Sequence, residues 1–276
     1  MLKAWLAHPL TKGLDIDDPR TTHLRLQIIQ EKSFLRQIYQ EWYQSLALVL
    51  PPGEGTVLEL GAGAGFMKNV IPEVITSEVF HCPNISAVLD ALRLPFAGKS
   101  LRGIVMTDVF HHIPQPRFFF SEAARCVRAG GVVAMIEPWV TSWSRFVYTR
   151  LHHEPFHPEM QSWELPTRGP LSGANGALPW IIFARDRRQF EREFPEWKIE
   201  FIKPIMPFRY LVSGGISLRG LTPGWSFGLW RQIENTLACW STQLAMFAQI
   251  VLRRVDNPTS MCLSTEVPPD VTARQQ

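Results

Sequence analysis

Residues 56–66 form a short apolar run that ends in an acidic residue and three glycines at alternate positions. A Pro-Pro-Gly sequence at residues 51–53 precedes the run, and its length and boundaries predict a buried parallel strand. Gly61 allows a sharp turn after the strand because glycine adopts backbone angles that a side chain blocks. Gly63 and Gly65 allow backbone N–H groups to approach a ligand closely. The stretch therefore predicts either a glycine turn without a ligand or the start of a nucleotide site.

The spacing of these glycines bears on which nucleotide would bind. The dinucleotide fingerprint is G-x-G-x-x-G. This chain has G-x-G-x-G from Gly61 to Gly65, and Phe66 follows, so the fingerprint is not met. The spacing therefore disfavours a nicotinamide dinucleotide.

The composition of the chain is that of an ordinary globular protein. Its 276 residues can bury a full core and fit one α/β domain with insertions better than two independent domains. The net charge is only +3 and no dense run of Lys and Arg occurs, so no nucleic-acid partner is expected. The four cysteines are scattered without a C-x-x-C pair, which indicates neither a disulfide framework nor a zinc site. This cysteine usage fits a reducing cytoplasm.

The apolar stretches are too short for a membrane span. No run reaches the roughly 18 consecutive apolar residues that a spanning helix needs. Residues 1–10 have no small-residue cleavage site of a secretory signal. We therefore expect a soluble protein with no integral membrane segment. Peripheral contact with a membrane remains an alternative, and the sequence leaves the oligomeric state open.

The segments around the glycine turn alternate between helix and strand. An Asp-Asp-Pro sequence at residues 17–19 predicts the start of a helix. Apolar residues at spacings of three and four over residues 35–46 predict an amphipathic stripe, which we expect to pack on the sheet. Three later apolar runs predict buried strands, because a strand covered on both faces is apolar throughout. These runs are residues 74–78, 103–107 and 132–137, with a helix predicted over 116–128.

An acidic residue ends the second predicted strand. Glu78 lies 17 positions after Gly61. Nucleotide-binding α/β folds place a carboxylate about 20 residues after the glycine turn, where it accepts hydrogen bonds from ribose hydroxyls. Glu78 is therefore a candidate ribose ligand, and the alternative is an ordinary surface glutamate.

The glycine turn, Glu-Leu-Gly-Ala-Gly-Ala-Gly at residues 59–65, resembles motif I of class I S-adenosylmethionine-dependent methyltransferases. The resemblance implies that the methionine end of this cofactor lies over the turn. Further motifs extend the resemblance in order over residues 56–139. The motif I positions implied in cofactor binding are Glu59, Gly61, Ala62, Gly63 and Gly65.

A second motif lies between the runs at 74–78 and 103–107, where the family pattern has its third strand, so the runs at 103–107 and 132–137 are counted as the fourth and fifth predicted strands. The sequence A-V-L-D-A-L-R-L-P-F at residues 87–96 is similar to the pattern of the same family. The resemblance implies that Asp90 accepts a hydrogen bond from the adenine amino group. It also implies that the backbone of Ala91 completes recognition of the ring edge.

A pair of histidines follows the fourth predicted strand, at the end where ligands bind in open parallel sheets. The pair, His111 and His112, resembles the small-molecule branch of the family, often called type 11. The chain departs slightly from the family pattern, since Gly103 stands where an Asp often opens the strand. Either histidine is a candidate base because histidine titrates near neutral pH. The alternative is a histidine that packs beneath the cofactor.

Two carboxylates complete the candidate catalytic set. Asp108 follows the fourth predicted strand and Glu137 ends the fifth. Either could position the methyl acceptor or contact the ammonium group of the cofactor. Asp108 is therefore a candidate for both catalysis and cofactor binding.

The second half of the chain is rich in aromatic residues. Eight of its ten tryptophans occur at or after position 139, which predicts an aromatic-rich cap over about residues 140–196. Residues 169–176 predict a loop long enough to be a lid. A His-His-Glu cluster at 152–154 could hold a metal, but neighbouring histidines are expected to point apart, so no metal is predicted. The candidate substrate contacts are Trp139, His152, His153 and Glu154.

The end of the chain allows two interpretations. Residues 240–252 could form an apolar helix lying on a membrane, whereas residues 246–253 resemble the last strand of the methyltransferase fold. We favour the strand, antiparallel beside a sixth strand at 197–202.

These elements predict an α/β fold with a Rossmann-like, doubly wound sheet of seven strands. The sheet is mostly parallel with an antiparallel last strand, and an aromatic-rich cap follows the fifth strand. Residues 1–256 are expected to form one domain, with a helical lid at 17–50 and a cofactor-binding core at 54–139. Residues 257–276 are expected to be a polar tail that need not be ordered.

The sequence thus predicts an S-adenosylmethionine-dependent methyltransferase. The acceptor would be an O, N or C atom of a small, apolar or aromatic molecule. One alternative is a non-catalytic methyltransferase-like module that binds or regulates. A nicotinamide-dependent oxidoreductase ranks third because of the glycine spacing.

Overall fold

Seven strands form one sheet that carries the predicted nucleotide site. The structure is a computed structural model that describes residues 19–63, 65–83, 85–151, 154–166 and 173–256. The strands are β1 (Thr56–Leu60), β2 (Ile75–Glu78), β3 (Ala87–Val88), β4 (Leu101–Thr107), β5 (Val127–Pro138), β6 (Trp197–Ile205) and β7 (Phe247–Arg254).

The strand order is β3-β2-β1-β4-β5-β7-β6. Strands β1 to β5 pair with one another in parallel, whereas β7 is antiparallel to both β5 and β6. The order reverses at β1, where β2 and β4 flank it on either side, and such a switch point is where open α/β sheets bind ligands. The predicted seven-stranded, mostly parallel Rossmann-like sheet is confirmed.

Helices cover the sheet and fill its long connections. They are α1 (Pro19–Glu31), α2 (Ser33–Val49), α3 (Pro116–Cys126), α4 (Ser142–Leu151), α5 (Leu178–Trp180), α6 (Arg187–Glu193), α7 (Arg209–Ser213), α8 (Phe227–Thr236) and α9 (Ser241–Leu244). Short 3-10 turns occur at Met67–Asn69, Phe110–His112, Gly224–Ser226 and Ala238–Trp240, and a π turn at Ile181–Arg185. None of the helices in the described ranges is long and apolar enough to cross a bilayer.

The predicted amphipathic stripe lies on α2. Its apolar residues are buried in the main core, and Trp42 stacks on Tyr210 with ring centroids 5.7 Å apart. The amino-terminal helical region is two helices, however, since α1 and α2 are separated at Lys32, whose φ and ψ of −87° and 89° are not helical. Asp17 and Asp18 lie outside the described residues.

The junction between α3 and β5 differs from the prediction. Helix α3 ends at Cys126 rather than at residue 128, and β5 already begins at Val127. Val127 pairs with Leu101 of β4, and the register shifts before the next pair, so the chain is already extended at Val127. The apolar run at 132–137 is the buried part of this longer strand.

The carboxyl-terminal strand is confirmed as β7, so the alternative of an apolar helix over residues 240–252 is wrong. Two connections flank this part of the sheet. The connection after β5 is rich in aromatic residues, as predicted, and Phe183 and Phe190 pack on Phe120 with ring centroids 5.9 and 5.0 Å away. The sequence did not predict the second connection, residues 206–246 between β6 and β7, which carries α7 to α9.

Candidate active site

Backbone hydrogen bonds fix the conformation of the glycine turn after β1. The N–H of Ala62 donates to the carbonyl of Ser77 on β2 at 2.8 Å, and the N–H of Gly65 donates to the carbonyl of Ala62 at 2.8 Å. Gly61 has φ +67°, and a Cβ there would lie 2.3 Å from Cγ2 of Val109. Glycine is therefore required at this position for two reasons, its left-handed backbone and the close approach of the loop after β4.

A first cavity of about 90 Å³ lies beside the turn. Helices α1 and α2 close it on one side through Thr22, Arg25, Tyr39 and Tyr43. The remaining wall comes from the carboxyl ends of the strands and the turns that follow them, with Ile216 added from the connection between β6 and β7. It consists of Glu59, Gly61, Gly65, Glu78, Thr107, Asp108, Val109, His112 and Ile216.

Two buried carboxyl groups face this cavity. Glu59 is 2% exposed and its Oε2 has no hydrogen-bond partner within the described structure. Burial, with a smaller contribution from Glu78, raises the pKa of Glu59 to about 8. Glu78 accepts hydrogen bonds from the N–H groups of Gly63 at 3.2 Å and Val79 at 2.9 Å, and burial raises its pKa. The site thus presents acceptors to a ligand that carries positive charge.

A second cavity, also of about 90 Å³, adjoins the first. Four residues line both, namely Gly61, Glu78, Val109 and His112. Its outer wall includes Asp90, Ala91 and Leu92, with Leu89 and Ile113 beside them. The exposed Asp90 accepts a hydrogen bond from the N–H of Leu92 at 2.9 Å. The structure therefore brings Asp90 and Ala91 to one end of a cleft whose other end is the glycine turn.

This cleft fits the chemistry of S-adenosylmethionine. The orphaned carboxyl oxygen of Glu59 and the carboxyl of Asp108 suit a ligand with a sulfonium and an ammonium group. Arg25 lines the first cavity, and its guanidinium suits the carboxylate at the methionine end of the cofactor. The half-buried, largely apolar second cavity suits a flat base. The residues present therefore match the three parts of the cofactor.

Glu137 organises the turn after β4. Its Oε1 accepts hydrogen bonds from the N–H groups of Val109 at 2.9 Å and Phe110 at 2.7 Å. Its Oε2 lies 2.7 Å from Nδ1 of His111. Both side chains are fully buried. Glu137 therefore fixes both the backbone of this turn and the orientation of the His111 ring.

His111 lies between two carboxylates. Its Nε2 lies 3.5 Å from Oε2 of Glu154 on the side opposite Glu137. Burial lowers the pKa of His111, but the hydrogen bond to Glu137 and the nearby carboxylate of Glu154 raise it well above the ordinary value. A protonated imidazole cannot accept a proton, so this arrangement argues against His111 as the base.

Asp108 lines the first cavity and also a third cavity that lies beyond it. Its φ is +60°, and its N–H donates to the carbonyl of Ile136 at 2.8 Å, so the turn leaves β4 in a left-handed conformation that favours glycine. Burial raises the pKa of Asp108 to about 7, with opposition from His111 and reinforcement from Glu154. A carboxyl group with such a pKa exchanges protons near neutral pH.

A third cavity lies beyond Asp108 and is enclosed by aromatic rings. Its volume is about 10 Å³, enough for roughly one water. Lining side chains must therefore move before a larger molecule can enter. The lining residues are Asp108, Pro138, Tyr148, Glu154, Pro155, Phe156, Gly176, Tyr210 and Phe247.

The predicted substrate contacts have different placements. Glu154 lines the third cavity. Trp139 is buried and lines none of the three cavities, and its N–H donates to the carbonyl of Met246 at 2.9 Å. His152 and His153 lie outside the described residues.

A cluster of possible metal ligands differs from the one considered in the sequence. His111, His112 and Glu154 each offer one ligand atom, and these atoms lie within 4.8 Å of one another. Nε2 of His112 is 4.0 Å from Oε1 of Glu154. Ion pairing between the histidines and the carboxylate accounts for these positions, so we assign no metal.

Sequence reasoning missed most of the aromatic cavity. Tyr148, Phe156, Tyr210 and Phe247 come from four segments that are distant in the chain. Arg25 was also missed, although it lies in the predicted lid. One sequence feature pointed to this region, the loop predicted at 169–176. The N–H of Asn175, near the end of that loop, donates to the carbonyl of His111 at 3.0 Å.

Comparison with known proteins found similar solved structures and one family-model match. Among solved structures, a geranyl diphosphate C-methyltransferase from Streptomyces coelicolor A3(2) shares 13% identity at a TM-score of 0.46, covering 91% of this chain and 89% of that chain. A geranyl diphosphate methyltransferase shares 15% at 0.42, covering 91% and 96%. The [4+2]-cyclase SpnF shares 9% at 0.44, covering 78% and 80%. No curated protein sequence matches this chain.

One family model matches part of the chain that forms the sheet. Residues 78–135 match the family model described as a methyltransferase domain of type 11. This range begins at Glu78 and includes Asp90, Asp108 and the histidine pair. The resemblance noted in the sequence is thereby confirmed.

Proposed function

We propose that the protein transfers a methyl group from S-adenosylmethionine to an O, N or C atom of a small, apolar or aromatic molecule. The observation that carries this proposal is the position of Asp108. It lines both the cavity beside the glycine turn and the aromatic cavity beyond it. A donor in the first and an acceptor in the second would meet at this residue.

The cofactor would lie along the two larger cavities. Glu59 and Arg25 would contact the methionine end over Gly61, Ala62, Gly63 and Gly65. Glu78 lies between the cavities and would accept hydrogen bonds from the ribose hydroxyls. Asp90 and the Ala91 backbone would bind the adenine edge. Both the glycine spacing and the family match favour this cofactor over a nicotinamide dinucleotide.

Bound S-adenosylmethionine supplies a methyl group that the positive charge on sulfur has already activated. The chain therefore mainly has to align the acceptor and exclude water. The aromatic walls formed by Tyr148, Phe156 and Tyr210 suit an apolar acceptor and keep water out. His112 lines both cofactor cavities and would contact the cofactor.

Proton transfer would fall to Asp108 rather than to His111. The pKa of Asp108 is raised to about 7, so a substantial fraction is ionised at neutral pH and can accept a proton. The His111 cation lies between Glu137 and Glu154 and would keep Asp108 and Glu154 in place. We therefore assign His111 and Glu137 as positioning residues.

We further propose that residues 1–256 form one domain. Its lid is residues 17–50, which include α1 and α2, and its cap is residues from about 140 to 196. The cytoplasmic location remains a prediction from the sequence. The small volume of the aromatic cavity, about 10 Å³, favours one competing hypothesis, a module that binds the cofactor without catalysis.

The two hypotheses differ in turnover. Purified protein would be incubated with S-adenosylmethionine and fractions of a small-molecule extract, and release of S-adenosylhomocysteine would be measured. Release with at least one fraction supports the enzyme, and Asp108→Asn should slow it where the acceptor must lose a proton. Cofactor binding without release from any fraction supports the binding module, and absence of cofactor binding contradicts both.

A further inference from the structure

The aromatic cavity is bounded by a continuous row of four rings. Phe156 stacks on Tyr148 with ring centroids 4.7 Å apart, and Tyr148 meets Phe247 edge-on at 6.4 Å. Phe247 in turn meets Tyr210 edge-on at 4.7 Å. All four side chains line the cavity. The hydroxyl of Tyr148 donates to the carbonyl of Met246 at 3.0 Å, which fixes this ring in the row.

The charged groups that line this cavity are acidic. Among the described residues of its wall, Asp108 and Glu154 carry carboxyl groups and none is basic. Glu137 adds a third carboxyl group to the same cluster, 2.7 Å from His111. Even when His111 and His112 are both counted as cations, the carboxyl groups are in excess. The cavity therefore lies in a negative potential.

Two tyrosines of the wall are affected by the same charges. Burial raises the pKa of both Tyr148 and Tyr210 well above the ordinary value, with further contributions from Asp108 and Glu154. Arg25 also acts on Asp108, but it lines the first cavity, where the proposed function pairs it with the carboxylate of the cofactor. The excess of negative charge therefore acts on the aromatic cavity.

We propose that the methyl acceptor is the nitrogen of a basic amine on an apolar or aromatic molecule, and that the aromatic cavity binds this amine as its ammonium ion. The inference rests on the proposed function and names its acceptor. Aromatic rings attract cations, more strongly where water is excluded. Asp108 and Glu154 accept hydrogen bonds from a charged N–H donor. An ammonium group is similar in size to the one water that the cavity holds, so the head group fits before the walls move to admit the rest of the molecule.

The same charges disfavour other acceptors. A carboxylate or phosphate in this cavity would lie against Asp108 and Glu154, with no basic side chain among the described residues of the wall. An ion that is buried without a partner of opposite charge is costly. A neutral hydroxyl could donate to one carboxylate, but it adds no positive charge to offset the excess. The cavity therefore selects a cation.

Methylation of an ammonium ion requires the loss of one proton. Asp108, as a carboxylate, accepts this proton from the nitrogen, and the lone pair that remains forms the new N–C bond to the methyl group. The S–C bond breaks, and its electron pair stays on the sulfur of S-adenosylhomocysteine. The product is a methylated ammonium ion. Asp108 gives its proton to water after the product leaves.

Calorimetric titration of the full chain, saturated with S-adenosylhomocysteine, tests the cation site near pH 7. Benzylamine, benzyl alcohol and benzoate share one ring and are positive, neutral and negative at this pH. We expect benzylamine to bind at least about tenfold more tightly than benzyl alcohol, and benzoate to show no binding. Binding of none of the three, equal binding, or preference for the alcohol or benzoate overturns the proposal.

Two variants test the two parts of the site. Glu154→Gln keeps the shape of the side chain but removes its charge, so it should weaken benzylamine about tenfold and leave benzyl alcohol unchanged. Tyr210→Leu should lower the ratio of these two affinities about threefold, through loss of one cation–π contact. This second variant decides the matter if the first does not fold. An unchanged preference for benzylamine in the variants that fold overturns the proposal.

A matched control removes a carboxylate elsewhere in the cap. Glu159 is exposed and pairs with Arg145 at 3.2 Å, and Glu159→Gln should leave the affinities for all three probes unchanged. The affinity for S-adenosylhomocysteine reports on the cofactor site separately. A chain that binds S-adenosylhomocysteine without preferring benzylamine overturns the amine acceptor alone, whereas a chain that does not bind S-adenosylhomocysteine overturns the proposed function as well.

Turnover tests the acceptor itself. A small-molecule extract would be separated on a cation exchanger at pH 7, and both fractions would be incubated with the protein and S-adenosylmethionine. We expect release of S-adenosylhomocysteine with the retained, basic fraction. Release with the unretained fraction alone overturns the amine acceptor and leaves the methyltransferase standing.

Discussion

Gly61 and Gly130 both have a left-handed backbone, with φ of +67° and +73°, but their surroundings differ. A Cβ at Gly61 would lie 2.3 Å from Val109, whereas nothing lies within 4 Å of one at Gly130. Gly130→Ala should therefore cost only the backbone term, about 1–2 kcal/mol. Gly61→Ala should cost about 3 kcal/mol or more, because steric overlap adds to it. Urea unfolding measures both, and equal losses would contradict the close approach at Gly61.

Glu59 should make the free energy of unfolding depend on pH. Its pKa is raised from 4.5 to about 8 in the folded chain, so the folded state binds more protons than the unfolded state between these values. The free energy of unfolding should therefore fall as pH rises through this range, by on the order of 4 kcal/mol in the cofactor-free protein. Urea unfolding at several pH values measures it. Glu59→Gln, which cannot ionise, should remove this part of the slope, and a variant with the slope of the parent would refute the assignment.

Asp108 should matter for turnover more than for cofactor affinity. Asp108→Asn keeps the shape of the side chain but cannot accept a proton, so we expect the methylation rate to fall by about 10²–10⁴ for an acceptor that must lose one. Rates of S-adenosylhomocysteine formation measure the change, with cofactor affinity from calorimetry as the control. An unchanged rate with such an acceptor would show that another group takes the proton.

At the scale of elements, Arg209 connects three helices. It links α7, on which it lies, to α8 through Glu234 and to α2 through Glu41. Arg209→Met should cost about 3–5 kcal/mol in unfolding free energy, since Glu234 would remain buried without its cation. Arg231→Met, at an exposed position of α8, should change stability by about 0.5 kcal/mol or less. Similar losses in these two variants would contradict the role given to the buried pair.

The core strands could be predicted from sequence because each is buried on both faces. Val132 to Ile136 on β5, for example, are all fully buried. A strand buried on both faces is a continuous apolar run, which is easy to recognise in the sequence. The start of β5 could not be predicted, because Val127 is fixed by pairing with Leu101 across the sheet. Helices α7 to α9 carry no such continuous signal, and their packing depends on partners such as Glu41, distant in the chain.

At the scale of the whole molecule, the residues of the cofactor cleft lie closer together in the chain than the residues of the aromatic cavity. Gly61, Glu78 and Asp90 follow consecutive strands of a parallel sheet, so the fold itself brings them to one edge. The sequence named His111 and Glu137 separately as candidates, but their contact at 2.7 Å requires the register of β4 and β5. The aromatic cavity joins Tyr148, Tyr210 and other side chains from remote segments, so no local pattern could predict it.

Calorimetric titration of the purified chain with S-adenosylmethionine or S-adenosylhomocysteine tests the central claim most directly. We predict saturable binding to a single site. Asp90→Ala should weaken it by about tenfold to a hundredfold, through loss of one charged hydrogen bond to the adenine. Glu200→Ala, on β6 at the opposite edge of the sheet, should leave it unchanged. The absence of binding, or equal affinities in these two variants, would contradict the account.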